Sequence, residues 1–243
     1  MAYARAFFDL QFQFAEAVSA LTGQPLARAL LEYTNFYIRF AIGREFDPDH
    51  PVWQAYVAGL RDTQDGREWT YRFYLSRPWA LAGPAVVATF GCFAYAPLSP
   101  DRIRLHFENV ESGDRSPLAA ERRGQRLADL AALFAHVKRT TEQPPRVVGA
   151  SWLYNLEAYR GLFPKSYLAT AREIRGRFQH MPLWGQFLTR RGDVKEPMAR
   201  EFLDRLRRQP SLEGLDRCFP LQVLALEAPA DAFYDFYRVR ATT

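Results

Sequence analysis

Residues 147–164 carry the largest group of side chains that could do chemistry in this sequence. The stretch has the pattern of a buried strand that turns abruptly into a short helix. At the turn it carries a serine, a tryptophan, two tyrosines and an asparagine: Ser151, Trp152, Tyr154, Tyr159 and Asn155. Polar groups at the carboxyl end of a central strand are where α/β folds usually bind ligands. The segment therefore predicts a pocket, although capping of the following helix is the more ordinary role for Asn155.

Two further side chains are suited to proton transfer. His106 and Glu108 share the polar face of a strand whose other face carries Ile103, Leu105 and Phe107. A histidine can act as a general base, and a nearby carboxylate can orient it or face the amine itself. The alternative interpretation is a solvated strand face without catalytic work.

A second candidate pocket lining lies in residues 180–187. Three side chains lie within one or two turns of each other there: His180, Trp184 and Gln186. We expect them to line a substrate pocket together with Tyr154. A packed loop would show the same composition. The four histidines of the chain are too scattered for a metal-ligand spacing, so no metal is predicted.

Composition narrows the class of protein. The chain has 243 residues, of which 48% are hydrophobic and 15% aromatic, which is enough to bury a full core. The net charge of +5 comes without a Lys/Arg run interleaved with aromatics, so a small-molecule substrate is expected and nucleic acid is not. No apolar run reaches the roughly 18 residues of a membrane span, and no signal-peptide pattern begins the chain. Two cysteines outside any CxxC spacing agree with a cytoplasmic protein, while the oligomeric state stays open.

The periodicity of the chain predicts an α+β fold. A helical segment over residues 1–66 is expected to pack on an α/β domain over residues 67–243. Within that domain we predict strands over 69–76, 86–95, 103–107, 147–151, 167–178 and 221–226. We predict helices over 117–138, 183–188 and 197–207, and a closing helix or strand over 233–239.

The order of several short sequence pieces resembles the GNAT-type acyltransferases. The likeness is closest to bacterial proteins that carry a GNAT-like C-terminal domain behind a helical N-terminal domain. The pieces are Leu105-His106, Ser116-Pro117-Leu118, the long helix, Pro145-Arg146, Ser151-Trp152-Leu153 and Leu162-Phe163-Pro164-Lys165-Ser166. The likeness covers roughly residues 70 to 240. It implies a mixed, largely antiparallel sheet that is flanked by helices.

The resemblance also implies an activity, an acyl-CoA-dependent transfer of an acyl group to the nitrogen of a small-molecule amine. Acyl-CoA would be the co-substrate, and no metal would take part. Tyr159 is then the acid that protects the leaving thiolate, with Tyr154 as second choice, and His106 with Glu108 supplies the base. The residues implied for holding coenzyme A are Ser151, Trp152, Asn155, Arg122 and Arg123.

One departure from the family pattern favours a different function. GNAT enzymes usually bind the pyrophosphate with an Arg/Gln-x-x-Gly-x-Gly/Ala loop that opens the long helix. Here the most similar sequence is Glu121-Arg122-Arg123-Gly124-Gln125-Arg126, which we expect to lie inside the helix. The alternative is therefore a catalytically inactive GNAT-like protein that binds a small molecule or serves as a scaffold. A further hypothesis is a module that binds a partner protein through its helical first sixty residues.

Overall fold

The computed structural model describes residues 2–77, 86–110, 116–176 and 178–239, and it shows an α+β protein. The chain forms two compact units. The helical unit comprises Met1–Leu81 and Arg175–Gln222, and the sheet unit comprises Ala82–Ile174 and Val223–Thr243. The predicted division near residue 66 therefore differs from the structure, which groups residues 175–222 with the N-terminal helices.

The described helices follow each other in chain order as α1 to α11. They are α1 (Arg5–Thr22), α2 (Leu26–Tyr33), α3 (Phe36–Arg39), α4 (Pro51–Asp62), α5 (Gly66–Leu75), α6 (Arg123–Thr140), α7 (Glu157–Arg160), α8 (Lys165–Leu168), α9 (Met181–Trp184), α10 (Glu196–Arg207) and α11 (Asp231–Tyr237). In the described part of the chain, none of them is long and apolar enough to cross a membrane.

Aromatic packing explains why residues 175–222 belong to the helical unit. Phe14 of α1 is fully buried, and its ring lies 5.4 to 5.6 Å from the rings of Phe178, Trp184, Phe202 and Phe219. Aromatic pairs at such distances contribute about 0.5–1.5 kcal/mol each beyond the area that they bury. The N-terminal helices thus complete their core with residues from far along the chain.

The predicted strand over residues 69–76 is wrong, because this segment forms helix α5. Asp65 caps the helix by accepting hydrogen bonds from the main-chain amides of Arg67 and Glu68. The buried residues Thr70 and Tyr74 are four positions apart, which is the helical repeat. Aromatic residues at every second position mimicked a strand, whereas the Asp65-x-x-Glu68 cap was the signal for a helix start.

The sheet unit is built on one six-stranded sheet. Its strands are β1 (Ala88–Phe90), β2 (Phe93–Ser99), β3 (Arg102–Phe107), β4 (Arg146–Ser151), β5 (Arg172–Ile174) and β6 (Val223–Pro229), arranged in the order β1-β2-β3-β4-β6-β5. All described neighbours are antiparallel except β3 and β4, which are parallel. Helix α6 makes the crossover that a parallel pair requires. One hydrophobic core joins this sheet to α6, α11 and the segment that follows β4.

Three predicted elements of the sheet unit differ from the structure in kind or by more than three residues, whereas the ends of the others shift by one to three residues. Residues 86–95 form no single strand, because Gly91 adopts φ +56° in a two-residue turn between β1 and β2. The long helix begins at Arg123, after a 3₁₀ turn at Ala120–Arg122, and not at residue 117. Residues 167–178 contain the end of α8 and the short strand β5 in place of one long strand.

Candidate functional site

Strands β3 and β4 pair over only the first three residues of each. The parallel register ends with Arg104 opposite Val148, although β3 runs on to Phe107 and β4 to Ser151. On their outer sides both strands stay paired to these ends, β3 with β2 and β4 with β6. The two strands therefore part beyond residues 104 and 148. We call the place between residues 105–107 and 149–151 the junction.

The segment after β4 folds back through a chain of local hydrogen bonds. The Ser151 hydroxyl accepts from the amide of Leu153 at 3.1 Å and starts a 3₁₀ turn. Asn155 is exposed, and its side-chain amide donates to the carbonyl of Trp152 at 2.8 Å. Ser151 and Asn155 thus stabilise the turn. Trp152, which lies between them in the sequence, is half-buried. The turn brings Tyr154 and Tyr159 into the core of the sheet unit.

Gly149 leaves the space in which two tyrosine hydroxyls meet. The hydroxyls of Tyr154 and Tyr167 are 2.8 Å apart and hydrogen bonded. A Cβ atom on residue 149 would lie 2.1 Å from each of these oxygens, a distance that atoms cannot tolerate. Only glycine fits at this position of β4, which places the junction directly beside the tyrosine pair.

The hydroxyl of Tyr159 joins this pair. Burial first, and then the neighbouring Tyr154 hydroxyl, raises the pKa of Tyr159 well above its ordinary value. Burial is also the main cause of the raised pKa of Tyr154 and of Tyr167. All three tyrosines are therefore neutral proton carriers at physiological pH. The side chain of Tyr159 is 3% exposed, so the candidate acid lies beneath the surface.

Aromatic rings reach across the junction from β3 to α7. The ring of Phe107, at the end of β3, lies 5.4 Å from the ring of Tyr159 in an edge-to-face contact. Phe93 of β2 lies 5.2 Å from Phe107, and Phe163 lies 5.0 Å from Tyr159. We call these four residues, with Tyr154 and Tyr167, the junction cluster. Its rings pack closely on the α6 face of the sheet, on the inner side of the junction.

The start of α6 approaches the same region. Arg123, the first residue of the helix, donates a hydrogen bond to the carbonyl of Gly161 just after α7. Arg122 is half-buried and Arg123 is exposed, whereas Arg126 is 2% exposed. The Arg126 guanidinium lies 3.5 Å from Asp129 and donates to Cys92 Sγ. Residues 121–126 thus span the helix start, contrary to their predicted place inside the helix.

His106 and Glu108 lie on the other side of the sheet from the junction cluster. Successive residues of a strand point to opposite faces, and Leu105 and Phe107 take the face that packs on the core. His106 is half-buried, and Glu108, one residue past the end of β3, is exposed. The structure therefore places the predicted base residues and the predicted acid Tyr159 on opposite faces of the sheet at the same end of β3.

The predicted lining is divided between the two units. His180, Trp184 and Gln186 belong to the helical unit, and Tyr154 belongs to the sheet unit. Trp184 and Gln186 have no exposed surface, so neither can line a substrate pocket there. Trp184 Nε1 donates to the carbonyl of Phe178 at 2.6 Å, and Gln186 bonds the carbonyls of Leu183 and Leu221. Both are core residues whose polar groups are satisfied, and His180 is exposed.

The surface of the helical unit has a separate, charged depression of about 440 Å³. It follows one face of α10 and is lined by Pro197, Arg200, Glu201, Asp204, Arg205 and Arg208. Arg205 pairs with Glu201 within this set. Neither this depression nor any other place in the described ranges brings together three or more His, Cys, Asp or Glu residues that could hold a metal ion.

The sequence pattern does not single out Phe107, Phe163 or Tyr167 as parts of the site. It predicts Phe107 only on the buried face of its strand. Two features of the sequence could have indicated this cluster. They are the many aromatic residues between positions 152 and 167 and the glycine inside a central strand.

Comparison with protein-family models, with curated protein sequences and with solved structures finds no match.

Proposed function

We propose that the sheet unit is an acyl-CoA-dependent N-acyltransferase that acts on a small-molecule amine. The observation that carries the proposal is the junction, where a parallel pair of strands parts although both strands continue. GNAT folds admit the pantetheine arm of acyl-CoA at such a gap, between the strands before and after their long helix. Here α6 is the helix that connects the two strands.

The start of α6 supports binding of the cofactor phosphates. The start of a helix carries a partial positive charge, which favours anions. Arg122 and Arg123 add two positive side chains at this point. Arg126 is excluded from this role, because it is buried in its pair with Asp129.

The proposed transfer needs two proton movements. The amine nitrogen attacks the thioester carbonyl while His106, which Glu108 orients, accepts its proton. The carbon–sulfur bond then breaks, and Tyr159 gives its proton to the leaving thiolate. Its raised pKa keeps Tyr159 protonated beforehand.

Burial of Tyr159 favours a second candidate function, a GNAT-like binding or scaffold protein without catalysis. The Tyr159 hydroxyl already interacts with Tyr154, and the Phe107 ring packs against its ring. A thioester sulfur reaches this hydroxyl only if the packing at the junction rearranges. The two candidate functions share one fold. They differ in whether the protein transfers an acyl group from acyl-CoA to an amine.

Isothermal titration with acetyl-CoA and longer acyl-CoAs tests the binding step. Release of free thiol from acetyl-CoA, followed in the presence of a panel of primary amines, tests turnover. We expect Tyr159→Phe to lower the rate roughly 100-fold or more, because a general acid contributes that much. Tyr56→Phe is the matched control, since Tyr56 is an equally buried tyrosine in the helical unit.

The possible results bear on the two candidates in different ways. Absence of acyl-CoA binding contradicts both the transferase and a binding protein for this ligand. Binding without thiol release across the amine panel favours the non-catalytic candidate. A Tyr159→Phe variant that turns over as fast as Tyr56→Phe removes Tyr159 from the mechanism.

A further inference from the structure

The three lysines of this chain lie in different surroundings. Lys138, Lys165 and Lys195 are the only lysines among its 32 basic residues. Lys138 donates a hydrogen bond to the carbonyl of Val239, and its Nζ lies 5.0 Å from the ring centroid of Tyr234. Lys165, the first residue of α8, is exposed, whereas Lys195 is half-buried. Each side-chain amine can therefore be followed separately in one protein.

Lys195 is held at two points by a turn of the helical unit. Its main-chain amide donates to the carbonyl of Phe187 at 2.7 Å, and its Nζ donates to the carbonyl of Gln186 at 2.9 Å. Gln186 has no exposed surface, and its side-chain amide donates to two further main-chain carbonyls. The amine of Lys195 is therefore positioned against a fixed, buried acceptor.

The surroundings of Lys195 disfavour its charged form. Burial lowers the pKa of Lys195. Lys195 also directly precedes α10, a helix of 12 residues, and the partial positive charge at a helix start disfavours a further cation. Asp193 and Glu196 are near in sequence, but both are exposed, so solvent and salt weaken their attraction. The neutral amine, which is the nucleophilic form, is therefore more populated at Lys195 than in an ordinary lysine.

We propose that Lys195 is an acylation site, modified by small activated acyl donors such as thioesters and acyl phosphates. The inference is independent of the proposed function. The neutral amine nitrogen attacks the carbonyl carbon of the donor, and a carbon–nitrogen bond forms. The carbon–sulfur or carbon–oxygen bond to the leaving group then breaks. The thiolate or phosphate leaves with the bonding electrons, and the extra proton on nitrogen passes to water.

The acylated side chain suits the same place in the fold. An amide keeps one N–H group, which can donate to the carbonyl of Gln186 as the amine does. It carries no charge, so partial burial no longer opposes it by removing water from an ammonium group. The surroundings that disfavour the charged lysine therefore favour the acylated one.

Competition among the three lysines tests the inference. The full-length chain is incubated near neutral pH with acetyl phosphate or with acetyl-CoA, and peptide mass spectrometry measures the rate of acetylation at each lysine. We expect Lys195 to react about threefold or more faster than Lys165, because more of it is neutral. Faster reaction with either donor supports the inference, and the donor identifies the source of the acyl group. Lys195→Arg is the matched control, since it keeps the charge and should leave the rate at Lys165 unchanged.

Stability gives a second, independent measurement. Lys195→Gln supplies a neutral side chain with an N–H donor, and Lys195→Ala removes the donor to Gln186. We expect the urea midpoint of Lys195→Gln to equal or exceed that of the wild type and the midpoint of Lys195→Ala to be lower. Acetylation of Lys165 at least as fast as that of Lys195 with both donors would overturn the inference. A midpoint of Lys195→Gln as low as that of Lys195→Ala would also overturn it.

Discussion

Gly149 shows how a single missing side chain creates the tyrosine pair. The hydroxyls of Tyr154 and Tyr167 occupy the space in which any other residue would place its Cβ atom. Their hydrogen bond therefore depends on glycine in the middle of a central strand, a place where glycine otherwise weakens a sheet. The packing of the two tyrosines against the strand offsets this loss of stability.

We expect Gly149→Ala to destabilise the protein by about 1–3 kcal/mol, because the added methyl group overpacks the core. Gly124→Ala is the control, since a Cβ at that helical position meets nothing within 4 Å. Alanine there should leave stability unchanged or raise it by about 0.5–1 kcal/mol. Urea denaturation of both variants measures the difference, and equal midpoints would contradict the crowding at Gly149.

At the scale of elements, a buried ion pair within α6 lies against the β1–β2 turn. Gly91 in that turn approaches Asp129 so closely that a Cβ would lie 2.2 Å from the carboxylate. Arg126 and Asp129, one turn apart on α6, are 2% and 8% exposed. The carboxylate also accepts a hydrogen bond from Gln125 at 2.8 Å. The hydrogen bond from Arg126 to Cys92 Sγ adds a polar contact between the helix and the turn.

We predict that Asp129→Asn costs about 3 kcal/mol of unfolding free energy, because it removes the carboxylate charge beside a buried guanidinium. Asp204→Asn on α10 removes an exposed partner of Arg207 and should cost about 0.5 kcal/mol or less. Chemical denaturation of the two variants at one salt concentration compares them. A loss at Asp129 no larger than that at Asp204 would show that the buried pair contributes little.

At the scale of the whole molecule, buried tyrosines set the response to alkali. Burial raises the pKa of Tyr56 in the helical unit and of Tyr154, Tyr159, Tyr167 and Tyr237 in the sheet unit. In the unfolded chain these groups lose their protons near pH 10. Above that pH the native state binds more protons than the unfolded state, so stability falls as pH rises.

The expected slope above pH 10 is about 1.4 kcal/mol per pH unit for each buried tyrosine. Below pH 10 these tyrosines add no pH dependence. Tyrosinate absorbance and helical circular dichroism, followed together during an alkaline titration, should change in one step for these residues. Absorbance that rises to its full value while the circular dichroism stays native would refute the prediction.

The two units also make a prediction about fragments. Residues 1–66 alone lack Phe178, Trp184, Phe202 and Phe219, which enclose Phe14 in the intact chain. We expect this fragment to melt without a cooperative transition, because its aromatic core is incomplete. A sharp thermal transition in the isolated fragment would contradict this expectation.

Local sequence signals determined the α+β class and several elements of this protein. Helices α1 and α10 and strands β3 and β4 followed from periodicity and from glycine and proline breaks, which are short-range properties of the chain. Periodicity failed at α5, where aromatic residues in alternation can serve either a strand or a helix. The N-terminal cap at Asp65 was the better local guide there.

Only the tertiary structure decided which residues share a site. It joined residues 175–222 to the N-terminal helices, buried Trp184 and Gln186, and set Phe107 against Tyr159 at the junction. The physical reason is that packing brings together positions far apart in the chain, and no local pattern encodes the partner of a given ring. The sequence predicted Tyr159 as a candidate acid. Its burial and its neighbours depend on the folded sheet.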